Sequence, residues 1–326
     1  MRKFIYKLNI LPGYIPPKKD ELLSSWVFRL ALNHKIKPFS FTKFYFEESV
    51  FWTRDIDKFL YDDVITKLTE LTPLSRHQIL EHHLISYQDK LFTGELNPAH
   101  TMGLNNLGIY HRTRTINGLL ACPSCLAKDS YYKKQWRLQT SLMCLECNCL
   151  LIDACPNCSK PIIFHRLDIG NKSELFEDEL NYCWNCNFDL RKAFKILNGN
   201  ALLKRYQKFI NNTLVTGFCK HTQYSFLYFE ILLKILTKFK TKSKLWNRIQ
   251  EGFIIEFRLN RDNLDFGKLT TSLNFRLEIL PLIFYLIDDI PNRFIPFCTR
   301  HNIRYSDISK DSKIIPYWFF KEFREF

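Results

Sequence analysis

Long hydrophobic runs are missing from this 326-residue sequence. The two best, 226–236 and 277–287, are too short or are interrupted by Glu230, Lys234 and Glu278, against the roughly 20 apolar residues that a membrane helix needs. The first residues are basic, but Lys7 interrupts their apolar part and no small-residue cleavage site follows, so neither a signal peptide nor a membrane part is expected and a cytoplasmic protein is. No glycine-rich phosphate loop ending in Gly-Lys-Ser/Thr is present, which argues against ATP hydrolysis by this chain. The His-x-Glu element of zinc deaminases is missing too. Carboxylates are scattered, and no spacing singles out a two-metal nuclease site. Glu81-His82-His83 is read as a solvated or partly packed helix face, because adjacent histidines on a helix point in different directions. No catalytic residue is expected, and the chain is read as non-enzymatic.

Acidic residues are almost absent from one segment. Residues 191–250 hold thirteen Lys and Arg against Glu230 alone, which is +12 of the chain's +14. Charge concentrated in this way is what phosphate neutralisation requires. Within it Lys238, Lys240, Lys242 and Lys244 alternate with Phe239, Thr241 and Ser243 and lead into Trp246 and Arg248, a run that can track phosphates while an aromatic stacks or packs. Arg112 and Arg114 are further candidate phosphate contacts; the plain alternative for all of these is a solvated charged face.

Apolar residues are ample, at 46% with 29 Phe and 15 Tyr, and the length suits two or three units. After a proline-bearing leader, Asp20 is the expected N-cap of an amphipathic helix over about 21–34, with Leu22, Leu23, Trp26, Val27 and Leu30 at spacings of three and four. Pro38 ends it, and a second helix is read from Phe41 to Glu48. Asp55 opens a third pattern through Leu60, Val64, Leu68 and Leu71. A turn at Thr72-Pro73-Leu74 follows, and Ser75 with Gln78 makes a capping box for a helix carrying Ile79, His83 and Leu84. Helix, short turn, helix is the outline of a DNA-binding helix-turn-helix and equally of a packed hairpin. Residues 100–118, with Gly103, Gly108 and Gly118, are read as a connector, and 200–215, 222–250 and 274–289 as helices.

Eleven cysteines in a chain with no export signal point to metal, since cytosolic thiols stay reduced. Eight of them form four Cys-x-x-Cys knuckles: 122/125, 144/147, 155/158 and 183/186. Two residues between thiols let both sulfurs meet one ion at about 2.3 Å, and two knuckles close a tetrahedral site. Sequential pairing puts Cys122, Cys125, Cys144 and Cys147 on one zinc and Cys155, Cys158, Cys183 and Cys186 on another; interleaved pairing is the alternative. Cys149, two residues past Cys147, competes with it as fourth ligand. Sites with four protein ligands are structural and leave no position open for catalysis. A third zinc at Cys219, His221, Cys298 and His301 is not favoured, because no short spacing links the two halves.

Several stretches resemble the TniQ family in order and spacing. They are Pro17-Lys-Lys-Asp-Glu-Leu-Leu-Ser-Ser-Trp26 with Arg29-Leu-Ala31, Trp52-Thr-Arg-Asp-Ile-Asp57, His111-Arg-Thr-Arg114, Gly118-Leu-Leu-Ala-Cys-Pro-Ser-Cys-Leu-Ala-Lys-Asp129 with Tyr132, and Trp136-Arg-Leu138. Cys144 to Cys158 and Phe164-His-Arg166 continue the likeness, which covers roughly residues 10–195. TniQ-like proteins help choose the insertion site in transposition and recruit an AAA-type ATPase that engages the transposase. Some relatives recognise an attachment-site DNA and others bridge to an RNA-guided CRISPR effector. The resemblance implies an adaptor with no catalytic residue, whose partners are duplex DNA, the ATPase and, on the second route, the effector complex. A homodimer is compatible with it. The family often has His where this chain has Cys147, which leaves Cys147 and Cys149 open as ligands.

The expected architecture is mainly α with small zinc-ribbon-like elements: a helical unit over 1–117 with the helix-turn-helix-like pair, a tandem zinc module over 118–190, and a basic helical unit over 191–326. The rival function is a zinc-finger DNA-binding regulator unrelated to transposition.

Overall fold

The first helix is capped from a distance. In the computed structural model, whose described residues are 10–46, 51–59, 61–97, 101–110, 113–166, 179–195, 199–239, 247–260, 272–310 and 315–323, α1 (Leu23–Asn33) has no side-chain cap of its own. The amide of Leu23 donates to His82 O at 2.9 Å, and that of Ser24 to the Asp57 carboxylate at 2.8 Å, which also accepts from Ser24 Oγ at 2.7 Å. Asp20 is therefore not the N-cap. Its backbone is left-handed, with φ 58°, and its carbonyl accepts from Lys134 N. With Leu23, Trp26, Val27, Phe28, Leu30 and Ala31 all buried, α1 is covered all round and serves as the central strut.

Pro38 starts a helix as well as ending the segment before it. It is the first residue of α2 (Pro38–Phe46), a position where the missing N–H has no intrahelical partner to lose; residues 47 and 48 of the expected helix lie outside the described residues. Asp55 opens no helix. Residues 51–59 are successive turns, and α3 (Asp62–Leu71) begins only after Asp55 and Asp57 have turned into the core. Both bonds of the expected capping box are present at the start of α4 (Arg76–Leu80), but that helix ends after 5 residues. Ile79 is on it and His83 is not. His83 is fully buried, its Nε2 3.3 Å from Phe59 O and its Nδ1 accepting from Ile85 N at 3.1 Å to cap the 3₁₀ turn Leu84–Tyr87. His82 Nδ1 lies 2.8 Å from Glu21 O. The two rings are tied to main-chain groups of the interior, so this stretch is not a solvated helix face.

Among the described residues of 101–118 the chain is partly packed into the core and is no plain connector. Leu104, Asn105 and Leu107 are buried, and β1 (Ile109–Tyr110) pairs antiparallel with β2 (Thr113–Arg114), Ile109 opposite Arg114 and Tyr110 opposite Thr113. Only glycine fits at 118, because a Cβ there would stand 2.0 Å from Asn106 O.

Beyond the cysteine-rich part the chain is helical: α6 (Ala201–Thr216), α7 (Ser225–Thr237), α8 (Arg248–Phe257), α9 (Leu273–Ile287), a π-helical segment Ile290–Phe294, α10 (Ile295–Arg300), α11 (Tyr305–Ser309) and α12 (Tyr317–Phe323). The short helix α5 (Pro123–Lys128) precedes them, in the cysteine-rich part. Asn200 caps α6 through Leu203 N, and Gly217 ends it at φ 78°. The stretch 222–250 is two helices, not one. α7 stops at Lys238, Asn247 and Gln250 make a new capping box for α8, and both side-chain amides donate back to Lys238 O at 2.7 and 3.3 Å. The helices α6 and α9 grip residues 139–142. Tyr206 Oη donates to Thr140 O at 3.0 Å, Gln207 Oε1 accepts from Leu142 N at 2.8 Å, and Arg276 Nη1 donates to Gln139 O at 2.6 Å. One buried apolar cluster runs from α1 to α12. No helix of the described residues is long and apolar enough to cross a membrane.

Candidate metal centres

Two four-cysteine clusters dominate the middle of the chain. In the first, Cys122 is the N-cap residue of α5 (Pro123–Lys128), with Pro123 in the first turn; the tight start brings Cys125 N to 3.3 Å from Cys122 Sγ. The other two thiols come from a hairpin in which β3 (Met143–Cys144) pairs with β4 (Cys149–Leu150). Cys147 sits in its turn, closed by Asn148 at φ 51°. The four sulfurs of Cys122, Cys125, Cys144 and Cys147 lie within 4.8 Å of one another, with Cys125 Sγ 3.6 Å from Cys144 Sγ and 3.5 Å from Cys147 Sγ.

The second cluster repeats the device. Cys155, Cys158, Cys183 and Cys186 again lie within 4.8 Å, with Cys155–Cys186 and Cys158–Cys183 sulfur pairs at 3.6 Å. The residue after the second cysteine is left-handed in both knuckles, Ser159 at φ 56° and Asn187 at φ 55°. Each donates its amide to the carbonyl of the first cysteine, Ser159 to Cys155 and Asn187 to Cys183. Asn and a small hydroxyl residue tolerate that conformation, so the turn chemistry and the metal chemistry coincide in the sequence. The knuckles are grouped sequentially, not interleaved.

These arrangements suit a thiophilic divalent cation. All eleven cysteines are free, and the sulfur spacings are near the roughly 3.8 Å edge of a tetrahedron with about 2.3 Å Zn–S bonds. They are far beyond the roughly 2.05 Å of a disulfide. Crowding already divides the protons: hydrogen bonds from Cys122 and Cys125 push Cys144 down to about 2, while burial pushes Cys183 up to about 12. A divalent cation at either cluster would replace those shared protons and let all four sulfurs ionise. Among the described residues no third cluster forms. His301 Nε2 lies 3.0 Å from Glu256, His221 lies 4.0 Å from Asp288 and stacks on Tyr228, and Cys298 is buried.

Between the two halves of the first cluster in sequence, Arg137 anchors a buried charge network, of which the sequence pointed to Asp55 as a helix start and to Asp57 and Arg137 only as part of a likeness. Arg137, with no exposure, donates to both oxygens of Asp55 at 3.0 and 2.6 Å and to Asn105 O at 3.1 Å, and lies 3.5 Å from Asp57. Burial works against charge on Asp55, but Arg137 outweighs it and holds the carboxyl below its usual range. At Asp57 burial prevails, and the neighbouring Asp55 adds to it, so its pKa is raised. Lys58 Nζ donates to Asn106 Oδ1 at 2.9 Å, and Glu21 holds Arg29 at 2.6 Å. The Asp-Ile-Asp and Trp-Arg-Leu stretches are thus one clamp, joining α1 to the chain between the two halves of the first cluster.

The candidate nucleic-acid contacts fall into three groups. Arg112, Lys240, Lys242 and Lys244 lie outside the described residues. Arg114 turns inward: it is half-buried, its Nη1 donates to Ile162 O at 2.9 Å, and burial lowers its pKa to about 10. Its guanidinium satisfies a carbonyl of the fold and is turned away from any phosphate. Lys238 and Arg248 are at the surface with internal partners, Lys238 Nζ on Lys310 O and Arg248 at 3.6 Å from Asp307. Sequence reasoning passed over α6, where Lys204 and Lys208 share one face and Lys208 is exposed.

Residues 12–151 match the family model TniQ. The chain carries a TniQ domain over these residues. The TniQ match contains the charge clamp and the whole first cluster and stops before Cys155, so the second cluster and the C-terminal helices lie beyond it. A TniQ domain implies a transposition-associated protein. Among curated proteins, none matches the chain.

Proposed function

We propose that this TniQ-domain protein is a non-catalytic adaptor for target-site selection in transposition, which binds duplex DNA and recruits the AAA-type ATPase of the machinery. The TniQ match over 12–151 carries the reading. Zinc in both clusters, held by Cys122, Cys125, Cys144 and Cys147 and by Cys155, Cys158, Cys183 and Cys186, has a structural role here, since four protein sulfurs leave no site for an activated water. The clusters fix the geometry between the N-terminal helices and the basic C-terminal helices, and the latter hold DNA through its phosphates. An RNA-guided effector complex is the alternative source of target choice. The helical pair α3–α4 is a poor reader of bases in this scheme. Its second helix has five residues, Arg76 is paired to Asp62 at 2.5 Å, and Lys67 lies 3.2 Å from Glu70.

Binding of the zinc-loaded chain to mixed-sequence duplex across a salt series tests the DNA reading, beside a variant with Lys204, Lys208, Lys240, Lys242 and Lys244 changed to Gln. Phosphate binding predicts a steep fall of affinity with salt that becomes shallower in the variant, by roughly one unit of log–log slope for each lysine that had neutralised a phosphate. Equal slopes for the two proteins would remove these side chains from the interface, and no binding by either would leave a protein-bridging adaptor.

A further inference from the structure

A fifth thiol adjoins the first cluster, outside the four sulfurs that lie within 4.8 Å of one another. Cys149 stands on β4 directly opposite Cys144 on β3, is completely buried, and places its sulfur 3.3 Å from that of Cys122. That is closer than the 3.5 and 3.6 Å between Cys125 and its two neighbours. Cys147, by contrast, sits in the hairpin turn and is half-buried. A structural zinc takes four ligands, so Cys147 and Cys149 cannot both be bound beside Cys122, Cys125 and Cys144. The thiol at the solvent side and the thiol behind the site are only two residues apart, on one hairpin.

We propose that Cys149 is a reserve ligand of the first centre: the metal is held by Cys122, Cys125, Cys144 and one of two interchangeable thiols, Cys147 or Cys149. This rests on the reading of the clusters as metal centres. While Cys147 is bound, Cys149 stands outside the four ligands, its sulfur 3.3 Å from that of Cys122. When Cys147 is removed or capped, Cys149 gives up any proton it carries to solvent and takes the fourth position, so the ion stays while the hairpin turn is released. The second cluster has no such spare, because among the described residues its four thiols have no fifth beside them.

The test is a zinc count by elemental analysis on the purified full chain. Wild type is expected to hold two ions, and so are Cys147→Ser and Cys149→Ser, whereas the double variant and Cys144→Ser hold one each. A Cys147→Ser protein with one ion would overturn the proposal, as would a Cys149→Ser protein with one or a double variant with two. A wild-type count below two would instead overturn the metal reading itself. Should Cys147→Ser fail to fold, wild type answers the same question. Brief N-ethylmaleimide treatment of zinc-loaded protein, with peptide mapping to identify chains labelled at Cys147 alone, gives a species that native mass spectrometry should find with two zinc ions. One zinc ion in that species would contradict the reserve role.

Discussion

The two halves of this chain hold their shape by different means. Up to about residue 166 the backbone is mostly short helices and turns, and buried charges fix it: Arg137 on Asp55 and Asp57, Arg29 on Glu21, Lys58 on Asn106. From residue 201 onward helices satisfy their own backbones, and the core is apolar, with aromatic rings packed among a larger number of buried Leu and Ile side chains. Phe253 meets Phe239 at 5.0 Å and Phe297 at 5.2 Å between ring centroids, and Phe319 meets Phe323 at 5.1 Å. Irregular chain needs directional partners at each buried amide and carbonyl, while a helical bundle needs mainly volume and shape. Specific polar residues should therefore matter most in the first half and apolar bulk in the second.

Metal removal should separate the halves most sharply. A structural zinc contributes on the order of 10 kcal/mol to its domain, so chelation should open the region between residues 101 and 195 to limited proteolysis while the segment 201–310 stays protected longer. Equal protection of both regions after chelation would mean that the clusters carry no structural load.

Next in size is the charge clamp. Arg137→Met takes from the buried Asp55 and Asp57 the cation that hydrogen-bonds them and should cost about 3–5 kcal/mol in urea unfolding. Arg276→Met should cost less, about 1–3 kcal/mol, because the hydrogen bonds of Arg276 go to main-chain carbonyls and none to a carboxylate. The reverse order would break the contrast between the halves.

His83 sharpens it through pH. Burial lowers its pKa from 6.5 to about 4, so the folded protein keeps the ring neutral while the unfolded chain protonates it. The stability this provides is complete above pH 6.5 and is lost as pH falls toward 4, about 3 kcal/mol in all. His83→Gln should flatten that part of the curve relative to wild type under the same zinc loading, and parallel curves would show that other groups set the acid limit. The smallest effect is at a helix end of the second half. Asn247→Ala removes one bond of the α8 capping box and the side-chain bond to Lys238 O and should cost about 1–2 kcal/mol in the same unfolding assay.

The same contrast explains what could be read in advance. Helices α6 and α9 lie close to where their periodicity places them, and the Ser75 and Gln78 capping box is a local pattern that survives folding. The cysteine clusters were legible because a knuckle's chemistry lies within four residues. Asp55 and Asp57 were not, because carboxylates before an apolar pattern look like the start of a helix until the distant Arg137 is known. Asp20 failed as a cap for the same reason: Asp57 takes the amide of Ser24 from 33 positions away. Charge counting along 191–250 could not see that Asp288 lies 2.6 Å from Lys220 and also pairs with Arg205, nor that Arg248 leans on Asp307. Long-range ion pairs, more than propensity, separate the sequence reading from the fold.

The most direct test of the adaptor reading is whether this chain places an AAA-type transposition ATPase on DNA. The measurement is retention of the purified ATPase on immobilised duplex with nucleotide, with and without the zinc-loaded protein. Retention is expected to rise when the chain is present and to fall back when zinc is chelated from it beforehand. Equal retention with and without the chain, while the chain itself binds the duplex, would contradict recruitment and favour a zinc-finger DNA-binding regulator.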